Sequence, residues 1–149
     1  MISLEYRLLD EKKGFSVVTF YENISKEEVI LRFNCDYFIK NHKVYRKETC
    51  RIEGLVYVIY VEQDKDEKVL EQGLIPTPTW QGTRVEVRHF QENTSQYPVI
   101  HIYHFHTYTD VLLFLNSDTV DIEGNDWCKT ATEVDENRKV YVYYAEPIL

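Results

Sequence analysis

The feature that most constrains this chain is a strand-like segment that occurs twice. Residues 56–62 read Val-Tyr-Val-Ile-Tyr-Val-Glu and residues 140–146 read Val-Tyr-Val-Tyr-Tyr-Ala-Glu, identical at five of seven positions. The match continues upstream. Val17, Tyr21, Val29, Leu31, Asn34 and Asp36 find Val99, Tyr103, Val111, Leu113, Asn116 and Asp118 at an offset of 82. Glu5, Arg7 and Glu11 find Glu86, Arg88 and Glu92 at an offset of 81. The offset changes between Glu11 and Phe15 and again between Ile52 and Val56. A one-residue slip within a strand turns every side chain to the other face, so such insertions belong in turns. The pattern predicts repeat one at residues 1–62, a linker at 63–83 and repeat two at 84–149. A unit of about 60 residues buries too little surface to be secure alone, so the two are expected to co-fold as one domain about a pseudo-two-fold.

Composition says what kind of unit this is. Val, Ile, Thr, Tyr, Phe and Trp fill 59 of 149 positions, whereas Ala occurs only at Ala131 and Ala145. Side chains that are β-branched or aromatic suit a pleated sheet, and Ala is the best helix former, so sheet should dominate. Each copy reads as two strands, a short helix and two or three more strands. Ser25-x-x-Glu28 and Thr107-x-x-Asp110 mark the helix starts as a capping box and a close variant. Asn34 and Asn116 suit a left-handed helix-closing residue. Glu28 and Arg32 should pair along an exposed flank of the first helix. Asp64–Gln72 has the length for two helical turns, and Pro76, Pro78 and Gly82 break any continuous element in the linker. The expected class is α+β, mainly antiparallel, with tandem ββα-ββ(β) units packed as one compact unit.

Charge and cysteines narrow the setting. Residues 1–62 are net neutral, and residues 63–149 carry the whole net charge of −8. An acidic chain is repelled by phosphate backbones, so nucleic acid is an unlikely partner. No apolar run approaches the roughly 20 residues of a membrane helix, so no membrane span is expected. Three cysteines without a CxxC spacing fit a reducing cytoplasmic location.

The candidate functional residues lie where the copies agree or diverge. Tyr60 and Glu62 match Tyr144 and Glu146, a pairing able to face a polar ligand or partner. Phe114 lies in a helix apolar all round, Val111-Leu112-Leu113-Phe114-Leu115, where copy one has Arg32; it is either buried or a contact surface. Lys40, Lys43, Arg46, Lys47 and Arg51 form a basic stretch, whereas the aligned stretch of copy two carries Asp121, Glu123, Asp126 and Glu133. Both stretches read as solvated hairpin faces, the basic one also as a patch for an acidic partner, a phosphate ligand or, as the weakest reading, RNA. His104 and His106 share one strand face and are the metal ligands if any exist, with Asp110, Asp118 and His89 as the nearest completions, though no metal is expected. No glycine-rich phosphate loop, zinc-protease or hydrolase motif occurs, so no catalytic residue is assigned and no cofactor is expected. The function read from sequence is a non-enzymatic cytosolic binding or regulatory protein acting through protein–protein contacts or self-association. The alternative is a small-molecule or metal-binding enzyme with its site between the repeats, near His104 and His106.

Overall fold

The alternating stretches fold as strands in a computed structural model that describes residues 2–67, 82–94 and 96–149. The first half runs β1 (Ser3–Leu8), β2 (Val17–Glu22), α1 (Lys26–Phe33), β3 (Tyr37–Lys40), β4 (Lys43–Glu53) and β5 (Val56–Gln63). The second runs β6 (Thr83–His89), β7 (Val99–Phe105), α2 (Tyr108–Leu115), β8 (Thr119–Ile122), β9 (Asn125–Asp135) and β10 (Val140–Pro147). Of the expected Asp64–Gln72 helix, residues 65–67 form a turn and a bend instead, and the remainder lies outside the described residues, as do Pro76 and Pro78.

The helix ends follow the sequence signals in part. Ser25 accepts from the Glu28 amide and Thr107 from the Asp110 amide, each at 3.2 Å, so the hydroxyls satisfy orphan helix donors as expected. Asn34 and Asn116 differ from expectation. Both keep right-handed backbone angles near −90° and 0°. Each amide side chain donates to the carbonyl four residues back, Ile30 or Leu112, and so closes the helix without a left-handed residue. Lys47 and Lys129 then donate to the last-turn carbonyls of Phe33 and Leu115, where a cation also suits the helix dipole. Left-handed backbone occurs instead in the two-residue hairpin turns, Asn41-His42 and Glu123-Gly124, whose twist suits adjoining strands.

All ten strands join one sheet, ordered β2-β1-β5-β4-β3-β9-β10-β6-β7, with β8 hydrogen-bonded to β9 off that path. The sheet is mixed, which corrects the mainly antiparallel expectation. β1 pairs parallel with β5, β6 with β10, and β3 with β9. The helix and hairpin between β1 and β5 let the chain return in the same direction, a crossover that alternating sequence alone does not reveal. Read inward from either edge, the two halves present the same partners in the same directions as far as β4 and β9. β3 lies antiparallel to β4 and parallel to β9, so β4 and β9 run in opposite directions.

Both helices cover the same face. Val29 and Leu31 of α1 and Val111 and Leu115 of α2 are buried against Leu4, Tyr6, Ile59, Val61, Val85, Val87, Tyr141 and Tyr143. Val140, Val142 and Tyr144 point to the opposite face, where they pack with Phe90, Tyr97 and Ala131. The α1 flank differs from the sequence reading. Arg32 is 2% exposed, with Nη2 2.8 Å from Glu136 of the other half and 3.4 Å from Glu28. Its guanidinium also lies 4.6 Å from the Tyr21 ring centre. It is a strut between halves, because it lies on the buried side of α1, beside Glu136 of the β9–β10 turn, while Lys26, Glu27 and Ile30 take the exposed side. Thr132 completes that junction: its amide donates to Asp36 Oδ2 at 2.9 Å and its hydroxyl to the Asn34 carbonyl at 3.1 Å.

Candidate functional site at the seam between the halves

On the face away from the helices, a cavity of about 180 Å³ opens where the halves meet. Tyr37 of β3 and Val44 of β4 form one side; Thr130, Ala131 and Glu133 of β9 and Tyr144 of β10 form the other. Phe90 and Tyr97, from the segment between β6 and β7, and Glu67, just after β5, close the rim. The Phe90 and Tyr97 rings stack 5.4 Å apart, and Tyr97 meets Tyr144 edge-on at 5.4 Å. The position follows from the register. Tyr37 pairs with Glu133 on β9, and Tyr144 pairs with Ala131, so residues from both halves converge at one junction.

A buried charge cluster supports this wall. Arg138, in the turn after β9, donates to both oxygens of Glu86 at 2.8 and 3.0 Å and to Asp135 at 2.8 Å. Arg88 donates to Glu86 at 2.7 Å and to the Tyr97 carbonyl at 2.7 Å, which ties the cluster to the rim. Glu86, Arg88, Asp135 and Arg138 are all buried. Burial alone would raise the Glu86 carboxyl, but Arg138 and Arg88 hold it below the usual carboxylate range.

Glu133 is the exception. It is 4% exposed, and its Oε2 accepts from the Tyr144 hydroxyl at 2.9 Å. Burial, reinforced by the nearby Asp135 charge, pushes its carboxyl up to about 8. At neutral pH it is therefore mostly the neutral acid. Burial likewise raises the Tyr144 phenol, and the Glu133 charge adds to this. Glu67 is raised by burial and by Asp64 and Asp66.

The residues singled out from sequence are dispersed. Tyr144 lines the cavity; Tyr60, Glu62 and Glu146 do not. Tyr60 and Tyr144 sit on β5 and β10 with β4, β3 and β9 between them, four strand spacings or about 19 Å, so they share no cleft. Tyr60 instead faces Arg7, whose Nη1 lies 3.5 Å from its hydroxyl, while Glu62 binds Arg46. Phe114 is half-buried among Tyr103, Phe105 and Tyr143, with centroids 4.8–5.7 Å away.

The basic stretch is laced with carboxylates rather than presented as a patch. Arg46 approaches Glu48 at 2.9 Å, Glu62 at 3.1 Å and Asp64 at 3.8 Å, and Arg51 approaches Glu53 at 2.9 Å. Lys47 caps α1, and Lys40 and Lys43 face each other across the β3–β4 hairpin. His104 and His106 are exposed on and just beyond the edge strand β7, away from the seam. His89 rests edge-on against Trp127 at 5.3 Å. Among the described residues, no three His, Cys, Asp or Glu side chains converge as a metal site, so Asp110, Asp118 and His89 do not complete one with the histidines.

Sequence reasoning missed Glu133, Glu67, Tyr37, Phe90 and Tyr97. Glu133 looked like one member of a solvated acidic face. The available signal was the Glu86-x-Arg88 pair on a strand that neighbours an apolar β10, which puts charge beneath whatever covers that face. Comparisons with known protein families, with curated proteins and with solved structures find no match. Among the described residues, no helix is long and apolar enough to cross a membrane.

Proposed function

We propose that this is a binding protein whose principal site is the seam cavity, built by an internal duplication. The shared strand order, the opposed directions of β4 and β9 and the placement of both helices on one face support two copies related by a near-diad normal to the sheet. Such an arrangement brings two small units into one core and creates a concave junction that neither half has alone. The single observation that carries the binding reading is the convergence of four aromatic rings and a buried carboxyl on one cavity drawn from both halves. Apolar concavities with a few directed polar groups are the usual ligand sites of proteins. The test is a heteronuclear NMR titration of the full chain with small aromatic fragments. Binding fragments should shift the Tyr37, Ala131, Glu133 and Tyr144 amides together, and Tyr97→Ala should abolish those shifts. Fragments that perturb only amides elsewhere would overturn the reading.

A protein partner has its own support. On the open face of the first half, Phe15, Val17 and Phe20 are 40%, 50% and 59% exposed beside the Arg7 ion pairs. Exposed apolar groups bordered by charge are common in contact surfaces. Self-association or capture of a partner that Phe20→Asp abolishes is the expected outcome of that reading.

A further inference from the structure

We infer that the seam cavity takes a small organic cation, a protonated amine on a compact aromatic body, caged by Tyr37, Phe90, Tyr97 and Tyr144 with Glu133 and Glu67 as counter-charges. The inference rests on the seam cavity being a binding site. Three observations converge on it.

The first is the charge balance of the buried cluster. Glu86 and Asp135 are met by Arg88 and Arg138, carboxylate for guanidinium. Among the described residues, Glu133 is the carboxyl of this group that no Arg or Lys side chain contacts, and it lines the cavity. A buried carboxylate without a matching cation is costly, so the group holds its proton. A ligand cation would supply the missing charge.

The second is the wall. Aromatic faces carry negative quadrupoles that attract cations, most strongly where water is excluded, and clustered rings are a known means of holding ammonium groups. Tyr37, Phe90, Tyr97 and Tyr144 provide four such rings around one opening. The third is sign and size. Glu67 on the rim, with Asp64 and Asp66 near it, makes the mouth of the cavity acidic and disfavours an anion. The volume of about 180 Å³ is roughly six times that of a water molecule in the liquid, room for a single ring with a short polar arm.

Proton exchange follows from the same geometry. The charged and titratable groups around Glu133 are Asp135 on its own strand, Tyr144 on β10, Arg88 on β6, Tyr97 in the segment after β6 and Arg138 in the β9–β10 turn. Tyr37 and Glu67 share the cavity with it. An ammonium that enters near neutral pH displaces the Glu133 proton, so affinity falls as pH drops below about 8.

The experiment is calorimetric titration of the full chain with benzylamine, with benzyl alcohol and benzoate as neutral and anionic controls. Benzylamine should bind with release of a proton, read from buffers of different ionisation enthalpy, and roughly tenfold more weakly at pH 6.5 than at pH 8. Benzoate should not bind. Glu133→Gln, an isostere of the protonated acid and so expected to fold, should weaken benzylamine at least tenfold and leave benzyl alcohol unchanged. Glu67→Gln should weaken benzylamine to a smaller extent. Equal affinity for benzyl alcohol and benzylamine, or full affinity in Glu133→Gln, would overturn the cation inference while the cavity stands as a site. Silence from all three compounds would overturn both.

Discussion

The same face of the sheet is open in the first half and sealed in the second, although it carries matching side chains. In the first half Arg7 bridges Glu5 and Glu53 beside Tyr60, with side chains 19%, 24% and 35% exposed for the three ions. In the second, Arg88 and Arg138 hold Glu86 and Asp135 beside Tyr144, with side chains 8% exposed or less. Water screens the first set, so its pairs add little. The second set has lost its hydration, and each ion depends on its partners. The lesson is that one arrangement of charges on a strand face serves two ends. Left wet, it keeps an exposed sheet soluble; covered, it becomes a rigid polar floor on which a site can be set.

Removing one ion from each half tests that contrast most strongly. Arg138→Ala leaves Glu86 and Asp135 buried without their shared cation and should cost about 3–5 kcal/mol in urea unfolding. Arg7→Ala should cost roughly 1 kcal/mol or less. Similar losses for the two would break the comparison. The strut between the halves comes next. Glu136→Ala, which removes the nearer carboxylate from buried Arg32 Nη2, should cost about 3 kcal/mol, and Glu28→Ala, which removes the carboxylate 3.4 Å from the same nitrogen, well under 1 kcal/mol.

Glu133 sharpens the comparison through pH. Its folded-state affinity for protons is raised from an ordinary carboxylate value to about 8, so between those limits the folded chain binds more protons than the unfolded one. Its contribution is therefore full below the ordinary carboxylate range and is lost as pH rises toward 8. The slope approaches about 1.4 kcal/mol per pH unit mid-window. Glu133→Gln should flatten that part of the stability profile, and an unchanged slope would contradict the assignment. The smallest effects test where the halves remain equivalent. Ser25→Ala and Thr107→Ala should each cost about 1 kcal/mol, because each removes one hydroxyl acceptor from one helix amide at the same distance.

What the sequence made legible was local. The capped helix starts, the face assignment of Val58 and Tyr60 against Ile59 and Val61, and the burial of β10 on both faces follow from short-range patterns and appear in the structure, whereas β5 is covered less completely on the face away from the helices, where Val56 and Tyr60 are half-buried. Parallel pairing of β1 with β5 was not legible, since alternation is the same whichever way a neighbour runs. Arg32 was misread because its Glu28 partner lies four residues away, whereas Glu136 lies beyond the seam. Arg138 has no counterpart in the first half, where β4 turns into β5 at Gly54-Leu55, so matching the halves gave it no role. Tyr144 was found for its place at a strand end, but its working partner, Glu133, takes its character from burial, which one sequence does not display.

Carbon-13 NMR titration of the glutamate side-chain carboxyls, with Glu133→Gln to assign the resonance, examines the sealed half at its decisive atom. A Glu133 midpoint near pH 8 is expected of a carboxyl buried on the seam cavity beside the Asp135 charge. A midpoint in the ordinary carboxylate range would mean that water or another cation already reaches it, and the seam would lose the chemistry assigned to it.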